Sequence, residues 1–161
     1  MDEKVHIYAM VLTQDCDLES DFRGRPQDSE GHQCIPNVLL CEAIETETLK
    51  GRVPSGKDIW KRIIQNKDER YHCLECVPAE HDLEGSGMCS IGIDFKRYFT
   101  VPTDEIYRRI EIGQARRRCV LITPYAEQLL DRFFHFQARI PIPENHDVML
   151  SSSAPTPDRT V

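Results

Sequence analysis

Cys16 raises the clearest chemical question in this sequence, because it lies between Asp15 and Asp17 at the end of an apolar segment. The thiolate is the reactive form of cysteine, and neighbouring carboxylates oppose its formation. A nucleophilic Cys16 therefore needs a base and a cation that the fold brings near it. His72 is the candidate base and Asp17 the group that orients it, in a Cys/His/Asp arrangement. In the alternative, the aspartates bond backbone amides in a turn and Cys16 packs inward.

Four charged residues in two later segments are binding candidates: Arg70, Asp94, Lys96 and Arg97. The three cations among them could also supply the positive charge that a reactive Cys16 needs. Arginine, histidine and a carboxylate together can bind a phosphodiester and move protons, which is the chemistry of a metal-free nuclease. Aromatic residues flank the two cations of the second segment, as on surfaces that bind single-stranded nucleic acid. The alternation of a strand instead favours a core role for Phe95 and Phe99 on one common face.

Cysteine and histidine also occur at spacings found in zinc sites. Two cysteines separated by two residues can bind one tetrahedral ion through a tight turn. The candidate zinc ligands are Cys16, His72, Cys73, Cys76 and Cys89. The hypothesis is weakened because the Cys-x-x-Cys pair lies within a predicted strand, where alternate side chains point to opposite faces. In the alternative, these thiols are small apolar groups in the core.

The composition is that of a globular protein with one domain. The 161 residues are 40% hydrophobic and 29% charged, and the net charge of −7 argues against a surface that coats nucleic acid. No apolar run approaches the roughly 20 residues that span a bilayer, and the first residues, MDEKVHIY, lack the apolar segment of a signal peptide. We therefore expect a cytoplasmic protein without membrane contact, whose cysteines are thiols or metal ligands.

Hydrophobic periodicity predicts strands and helices around a single core. Strands are expected at 4–13, 37–45, 70–77, 89–95, 97–101 and 117–123, with a polar loop at 14–36. Helices are expected at 55–68, from 102 to Gly113, and from Thr123 to about residue 140. The last helix carries an apolar face of Ala126, Leu129, Leu130, Phe133 and Phe134.

Because these elements do not alternate regularly, the order favours the α+β class over a parallel sheet. We expect an antiparallel sheet or a partly closed β-barrel with two or three packed helices, and a zinc-ribbon insertion on a helical domain is the alternative. The domain is predicted to span residues 1–143. A polar tail rich in serine and proline, residues 144–161, is predicted to be disordered.

Several segments resemble a group of uncharacterised bacterial and phage-associated proteins. The shared features are a (Ser/Thr)-Gln-x-Cys-Asp stretch, here TQDCD, and a C-terminal helix that begins with Pro-Tyr, here PYAEQLLDRFF. The resemblance spans residues 10–143, and it implies a bacterial or phage origin without implying a reaction. It also directs attention to a set of polar residues, Cys16, Asp17, Arg70, His72, Asp94 and Arg97.

We therefore expect an intracellular bacterial binding or accessory module with a polar site around Cys16 and with zinc as its candidate cofactor. Its partner would be a protein or a nucleic acid, in a mobile-element or phage-response system. The alternative is a small Cys/His-dependent hydrolase or metal-free nuclease. No complete catalytic motif is visible, and a fold alone does not supply one, so the sequence leaves open whether the protein is an enzyme.

Overall fold

The computed structural model of the protein describes residues 5–27 and 34–139. Within these residues the strands are β1 (Tyr8–Val11), β2 (Asn37–Glu45), β3 (Tyr71–Leu74) and β4 (Ile91–Pro102). The helices are α1 (Asp15–Gly24), α2 (Thr46–Lys50), α3 (Lys57–Ile64), α4 (Thr103–Glu111) and α5 (Tyr125–Gln137). No helix in this part of the chain has both the length and the apolar character needed to cross a membrane.

The strands form one open antiparallel sheet in the order β1–β2–β4–β3. This arrangement confirms the predicted α+β class, and the sheet does not close into a barrel because β1 and β3 remain as separate edges. β2 has the predicted bounds, 37–45. Its nearly continuous apolar run indicates a buried strand, and the strand lies at the centre of the sheet.

The face of the sheet covered by α5, here called the α5 face, carries the larger core. Phe95 of β4 is fully buried there and packs edge-to-face on Phe133 of α5, with ring centroids 5.7 Å apart. Leu129 and Phe136 complete the buried side of the helix. The predicted burial of Phe134 is wrong, because this side chain is 53% exposed on the other side of α5.

The opposite face, here called the cleft face, is covered by α2 and α3. Leu49 of α2 and Ile63 of α3 pack there with Tyr71 of β3 in a smaller core. Gly92 of β4 permits this close approach, because a Cβ atom at this position would lie 2.4 Å from a methyl carbon of Leu49. α3 confirms the helix predicted at 55–68, although it is shorter at both ends.

The pairing of β2 with β4 is irregular in the middle of the sheet. Its register shifts by three residues at Glu42, so residues 94–97 of β4 all lie opposite this single residue. An odd shift inverts the alternation of side chains between the two faces. Phe95 therefore lies on the α5 face, whereas Phe99 lies on the cleft face and stacks on His6. The predicted common face of Phe95 and Phe99 is wrong for this reason.

The predicted loop at 14–36 is also wrong, because most of its first half forms α1. Asp15 and Asp17 lie in the first turn of this helix, where the positive end of the helix dipole favours carboxylates. The residue that α1 buries is Asp21. A helix anchored by a charged side chain lacks the apolar periodicity by which helices are predicted.

The predicted strand at 117–123 is not formed. Cys119 and Leu121 do pack against the core of the α5 face. The backbone of this segment forms a hydrogen bond with a loop and not with a strand: the Leu83 amide donates to the Arg118 carbonyl at 2.7 Å. An apolar run therefore fills the core without joining the sheet. The predicted domain end at residue 143 and the tail 144–161 lie outside the described residues.

Candidate functional site

A small cleft opens on the cleft face where the register of β2 and β4 shifts. Three arginines and two carboxylates line it, together with apolar side chains from β2, β3 and α2. The lining residues are Glu42, Ile44, Leu49, Arg52, Arg70, Tyr71, Asp94 and Arg97. Three of the binding residues predicted from the sequence, Arg70, Asp94 and Arg97, are brought together here by the fold.

Asp94 is one of the two buried carboxylates that organise the cleft. Arg70 binds it in a bidentate pair, with Nε donating to Oδ1 at 2.8 Å and Nη2 donating to Oδ2 at 2.6 Å. The backbone amide of Lys96 also donates to Oδ1, and Arg97 Nε lies 3.9 Å from Oδ2. Burial opposes ionisation of this carboxyl, but these donors outweigh it, so the pKa of Asp94 is lowered and the group is an anion at neutral pH.

Glu42 is the second buried carboxylate, and it lies on the central strand β2. Arg52 and Arg97 each donate from Nη1 to its Oε2 at 3.1 Å. His6 Nδ1 lies 3.5 Å from Oε1, with its ring stacked on Phe99 at 4.3 Å between centroids. Arg97 therefore contacts both carboxylates and links them into one network.

The three arginine side chains that bind these carboxylates are partly exposed to solvent. The side chains of Arg52, Arg70 and Arg97 are 41%, 37% and 46% exposed, whereas the two carboxylates are nearly inaccessible. A guanidinium group carries five N–H donors, and within the described residues Glu42 and Asp94 occupy only one or two on each arginine. Three cations and two anions leave the cleft with a net positive charge and with donors facing outward.

Local structure fixes where each arginine stands. Arg70 directly precedes β3, and its own amide donates to Asp68 Oδ1 at 3.0 Å. Arg52 follows α2, and its amide donates to the Leu49 carbonyl at 2.8 Å. Arg97 reaches the cleft face because the register shift inverts the alternation of β4. The cleft is thus built from three separate parts of the chain around one irregularity in the sheet.

Lys96, the fourth predicted binding residue, is exposed, and its side chain is not among those that line the cleft. Its contribution is the backbone amide that donates to Asp94. The predicted role of this residue in binding therefore stays a prediction for its side chain.

Cys16 lies in the first turn of α1 and is exposed. Its Sγ atom lies 3.6 Å from Gln14 Oε1 and 3.8 Å from Asp17 Oδ1, which are both acceptors. Two of the three candidate cations are engaged elsewhere, since Arg70 and Arg97 bind the carboxylates of the cleft. The catalytic role predicted for Cys16 and Asp17 gains no support from these contacts.

His72, the predicted base, is buried on the α5 face and stacks on Phe95 with centroids 6.4 Å apart. Burial, together with the nearby charge of Arg132, lowers the pKa of His72 to about 4. Its Nδ1 atom has no hydrogen-bond partner among the described residues. Neither Cys16 nor Asp17 contacts this ring, so the Cys/His/Asp arrangement is not assembled in the structure.

The candidate zinc ligands are also distributed over different surfaces. Cys73 and His72 are neighbours on β3, so their side chains point to opposite faces of the sheet. Cys76 and Cys89 lie beyond the ends of β3 and β4 and are exposed. The described residues contain no group of three or more histidine, cysteine or acidic side chains placed to hold a metal ion. Zinc binding stays a prediction that this geometry does not support.

Sequence reasoning missed Glu42, Arg52 and His6. Glu42 carried a usable signal, because a carboxylate in the middle of the apolar strand NVLLCEAIE must be paired when it is buried. Arg52 lies in a polar connection that offers no comparable signal.

Comparison of the chain with protein-family models, with curated proteins and with solved structures finds no match. The resemblance to bacterial and phage-associated proteins therefore stays a prediction, and the site must be interpreted from its own chemistry.

Proposed function

We propose that this protein is a binding module that takes an oxyanion, a phosphate or carboxylate displayed by a protein partner, in the cleft formed by Arg52, Arg70 and Arg97. The observation that carries the proposal is the geometry of these arginines. Buried carboxylates hold their guanidinium groups in place, while the side chains stay partly exposed and keep N–H donors that the carboxylates do not occupy. Guanidinium groups bind phosphate and carboxylate through paired N–H donors, and fixing the groups beforehand reduces the entropy lost on binding.

The state of the two buried carboxylates favours binding over catalysis. Asp94 is ionised and bonded to Arg70, so it has no proton to donate and little basicity at neutral pH. Glu42 is held by Arg52 and Arg97 in the same way. These groups stabilise the arginines and are poorly suited to act on a substrate.

The overall charge favours a protein partner over a nucleic acid. The chain carries a net charge of −7, which repels the phosphate backbone outside the cleft. A single phosphate or carboxylate needs only the local positive charge of the cleft. A bacterial or phage-related setting and a cytoplasmic location remain part of the proposal.

A calorimetric titration of the whole chain with inorganic phosphate and with phosphoserine tests the proposal. We expect saturable binding that Arg52→Gln weakens by roughly tenfold or more, since hydrogen bonds to charged groups contribute about 1.5–3 kcal/mol. This variant leaves Glu42 bonded to Arg97, so the carboxylate keeps a cationic partner.

Arg62→Gln is the matched control, because it removes the same charge from an exposed position on α3. It should leave the affinity unchanged. Equal weakening by both variants, or the lack of saturable binding in the native chain, would show that the cleft does not bind the anion.

A further inference from the structure

The register of β3 and β4 places two cysteines opposite each other. The paired residues run from Tyr71 with Asp94 to Leu74 with Ile91, and the pair Val77 with Met88 beyond the strand ends keeps the same register. Residues 76 and 89 are one step inside that last pair. Both are cysteines, and both are exposed free thiols.

The surroundings of the two cysteines place both thiols outside the core. Val77 and Met88 exchange two backbone hydrogen bonds of 2.9 Å, and both side chains pack into the core of the α5 face. The last pair of the ladder, Leu74 with Ile91, packs into the same core, so the alternation of side chains is interrupted between the two pairs. Cys76 and Cys89 lie in this interruption and are both exposed.

The spacing of such a pair suits a disulfide. Directly opposed residues of antiparallel strands have Cα atoms about 4.5–5.5 Å apart, and a disulfide joins Cα atoms about 4.4–6.8 Å apart. The strands are hydrogen-bonded on both sides of the two cysteines, at Val77 and at Leu74. Bond formation thus requires little movement of the backbone.

The connection between the two cysteines is held in place without a covalent link. Asp82 is buried and accepts hydrogen bonds from the amides of Glu84 and Ser86, both at 3.2 Å. Arg118 binds the same carboxylate through Nε at 2.8 Å and Nη2 at 2.7 Å. These contacts hold the loop between residues 77 and 88 in place while the two thiols are reduced.

We propose that Cys76 and Cys89 form a cross-strand dithiol that low-molecular-weight disulfides oxidise to an intramolecular disulfide. One thiolate attacks the external disulfide, forms a mixed disulfide and releases one external thiolate. The second cysteine thiolate then attacks the protein sulfur of that bond and releases the other. The protein loses two electrons and two protons, and the external disulfide gains them as two thiols.

The competing pair is Cys73 with Cys76, which the Cys-x-x-Cys spacing suggests. Cys73 lies opposite Gly92 in the ladder, so no thiol faces it across the strands. It is also half-buried, and burial raises the pKa of its thiol to about 11, which disfavours the reactive thiolate. The geometry therefore selects Cys89 as the partner of Cys76.

The test treats the folded, full-length chain with oxidised glutathione and blocks the remaining thiols with N-ethylmaleimide. A protease that cleaves after glutamate separates the three cysteines into peptides 70–75, 76–80 and 85–105. Mass spectrometry under non-reducing conditions should find peptides 76–80 and 85–105 linked, with the maleimide on Cys73. A link between 70–75 and 76–80, or maleimide on all three cysteines, would overturn the proposal.

Serine variants make the assignment independent of digestion. In Cys89→Ser, Cys76 should retain glutathione as a stable mixed disulfide, because the thiol that resolves it is gone. Cys73→Ser is the matched control and should form the linked peptides as the native chain does. Release of glutathione in Cys89→Ser, or loss of the link in Cys73→Ser, would also overturn the proposal.

Discussion

Buried ionisable side chains define this protein at the scale of single residues. Asp94 and Glu42 are almost inaccessible, and each is bonded to arginines whose outer donors remain exposed. A buried carboxylate without such partners costs several kcal/mol, so these pairs are required for folding as well as for the charge of the cleft. His72 is the opposite case, since it is buried without a partner for Nδ1 and stays neutral.

His72 should make stability depend on pH. Its pKa is about 4 in the folded chain, where burial and the charge of Arg132 oppose protonation, and near 6.5 when unfolded. The unfolded state therefore binds the proton first as the pH falls. We expect the free energy of unfolding to decrease between pH 6.5 and pH 4 by about 3 kcal/mol because of this residue.

Urea unfolding, followed by the fluorescence of the single tryptophan, Trp60, measures this effect. His72→Leu should remove this part of the pH dependence, whereas His135→Gln, a change at an exposed histidine of α5, should keep it. Burial raises the pKa of the Cys73 thiol to about 11, so this neighbour stays neutral at these pH values. The same pH dependence in both variants would contradict the assignment to His72.

At the scale of elements, the fold depends on how closely β4 approaches its neighbours. Gly92 lies beneath Leu49 of α2, and the register shift two residues later places Asp94 and Arg97 beside Glu42. The cleft therefore results from an irregular strand flanked by a short helix.

Gly92→Ala should destabilise the protein by about 1–3 kcal/mol, because the new methyl group overlaps Leu49 in a fully packed core. The destabilisation by Gly92→Ala should largely disappear in a Leu49→Ala background, because the leucine methyl groups that the new Cβ would overlap are then absent. Gly24→Ala is the control, since a Cβ at that position meets no atom within 4 Å. A double-mutant cycle in chemical denaturation measures the coupling, and additive effects would contradict the close approach.

The same elements show what the sequence could and could not predict. β2 is predicted by its nearly continuous apolar run, and α5 is predicted because its apolar side chains repeat with the period of a helix. α1 was missed because Asp21 anchors it, and the segment around Cys119 was misassigned because it fills the core without joining the sheet. Of the residues that line the cleft, the sequence predicts Arg70, Asp94 and Arg97 as binding residues. Arg52 and the role of Glu42 depend on contacts between distant parts of the chain, which periodicity does not reveal.

For the whole molecule, buried aspartates connect parts of the chain that the sheet does not. Asp21 of α1 accepts hydrogen bonds from Arg25 at 2.8 and 3.0 Å, from the Ile35 amide at 2.6 Å and from the Tyr107 hydroxyl of α4 at 2.9 Å. Asp21 thus joins α1, the segment before β2, and α4. Asp82 likewise joins the loop before β4 to Arg118.

Asp21→Ala should reduce the free energy of unfolding by about 1–3 kcal/mol, since it leaves the partly buried Arg25 and two other donors without this acceptor. Tyr107→Phe removes one donor only and should cost about 1 kcal/mol. In the Asp21→Ala background, Tyr107→Phe should add almost nothing. Thermal and urea unfolding of the four chains measure these differences, and an equal cost of Tyr107→Phe in both backgrounds would exclude the connection.

The central claim, that the arginine cleft binds an oxyanion, is tested most directly by nuclear magnetic resonance of the arginine side chains during a phosphate titration. The Nε–H resonances of Arg52 and Arg97 should shift together and saturate, because phosphate would occupy their outward donors. The resonance of Arg62, on the exposed surface of α3, should remain in place. Shifts that fail to saturate, or that affect Arg62 as strongly as the cleft residues, would contradict the account.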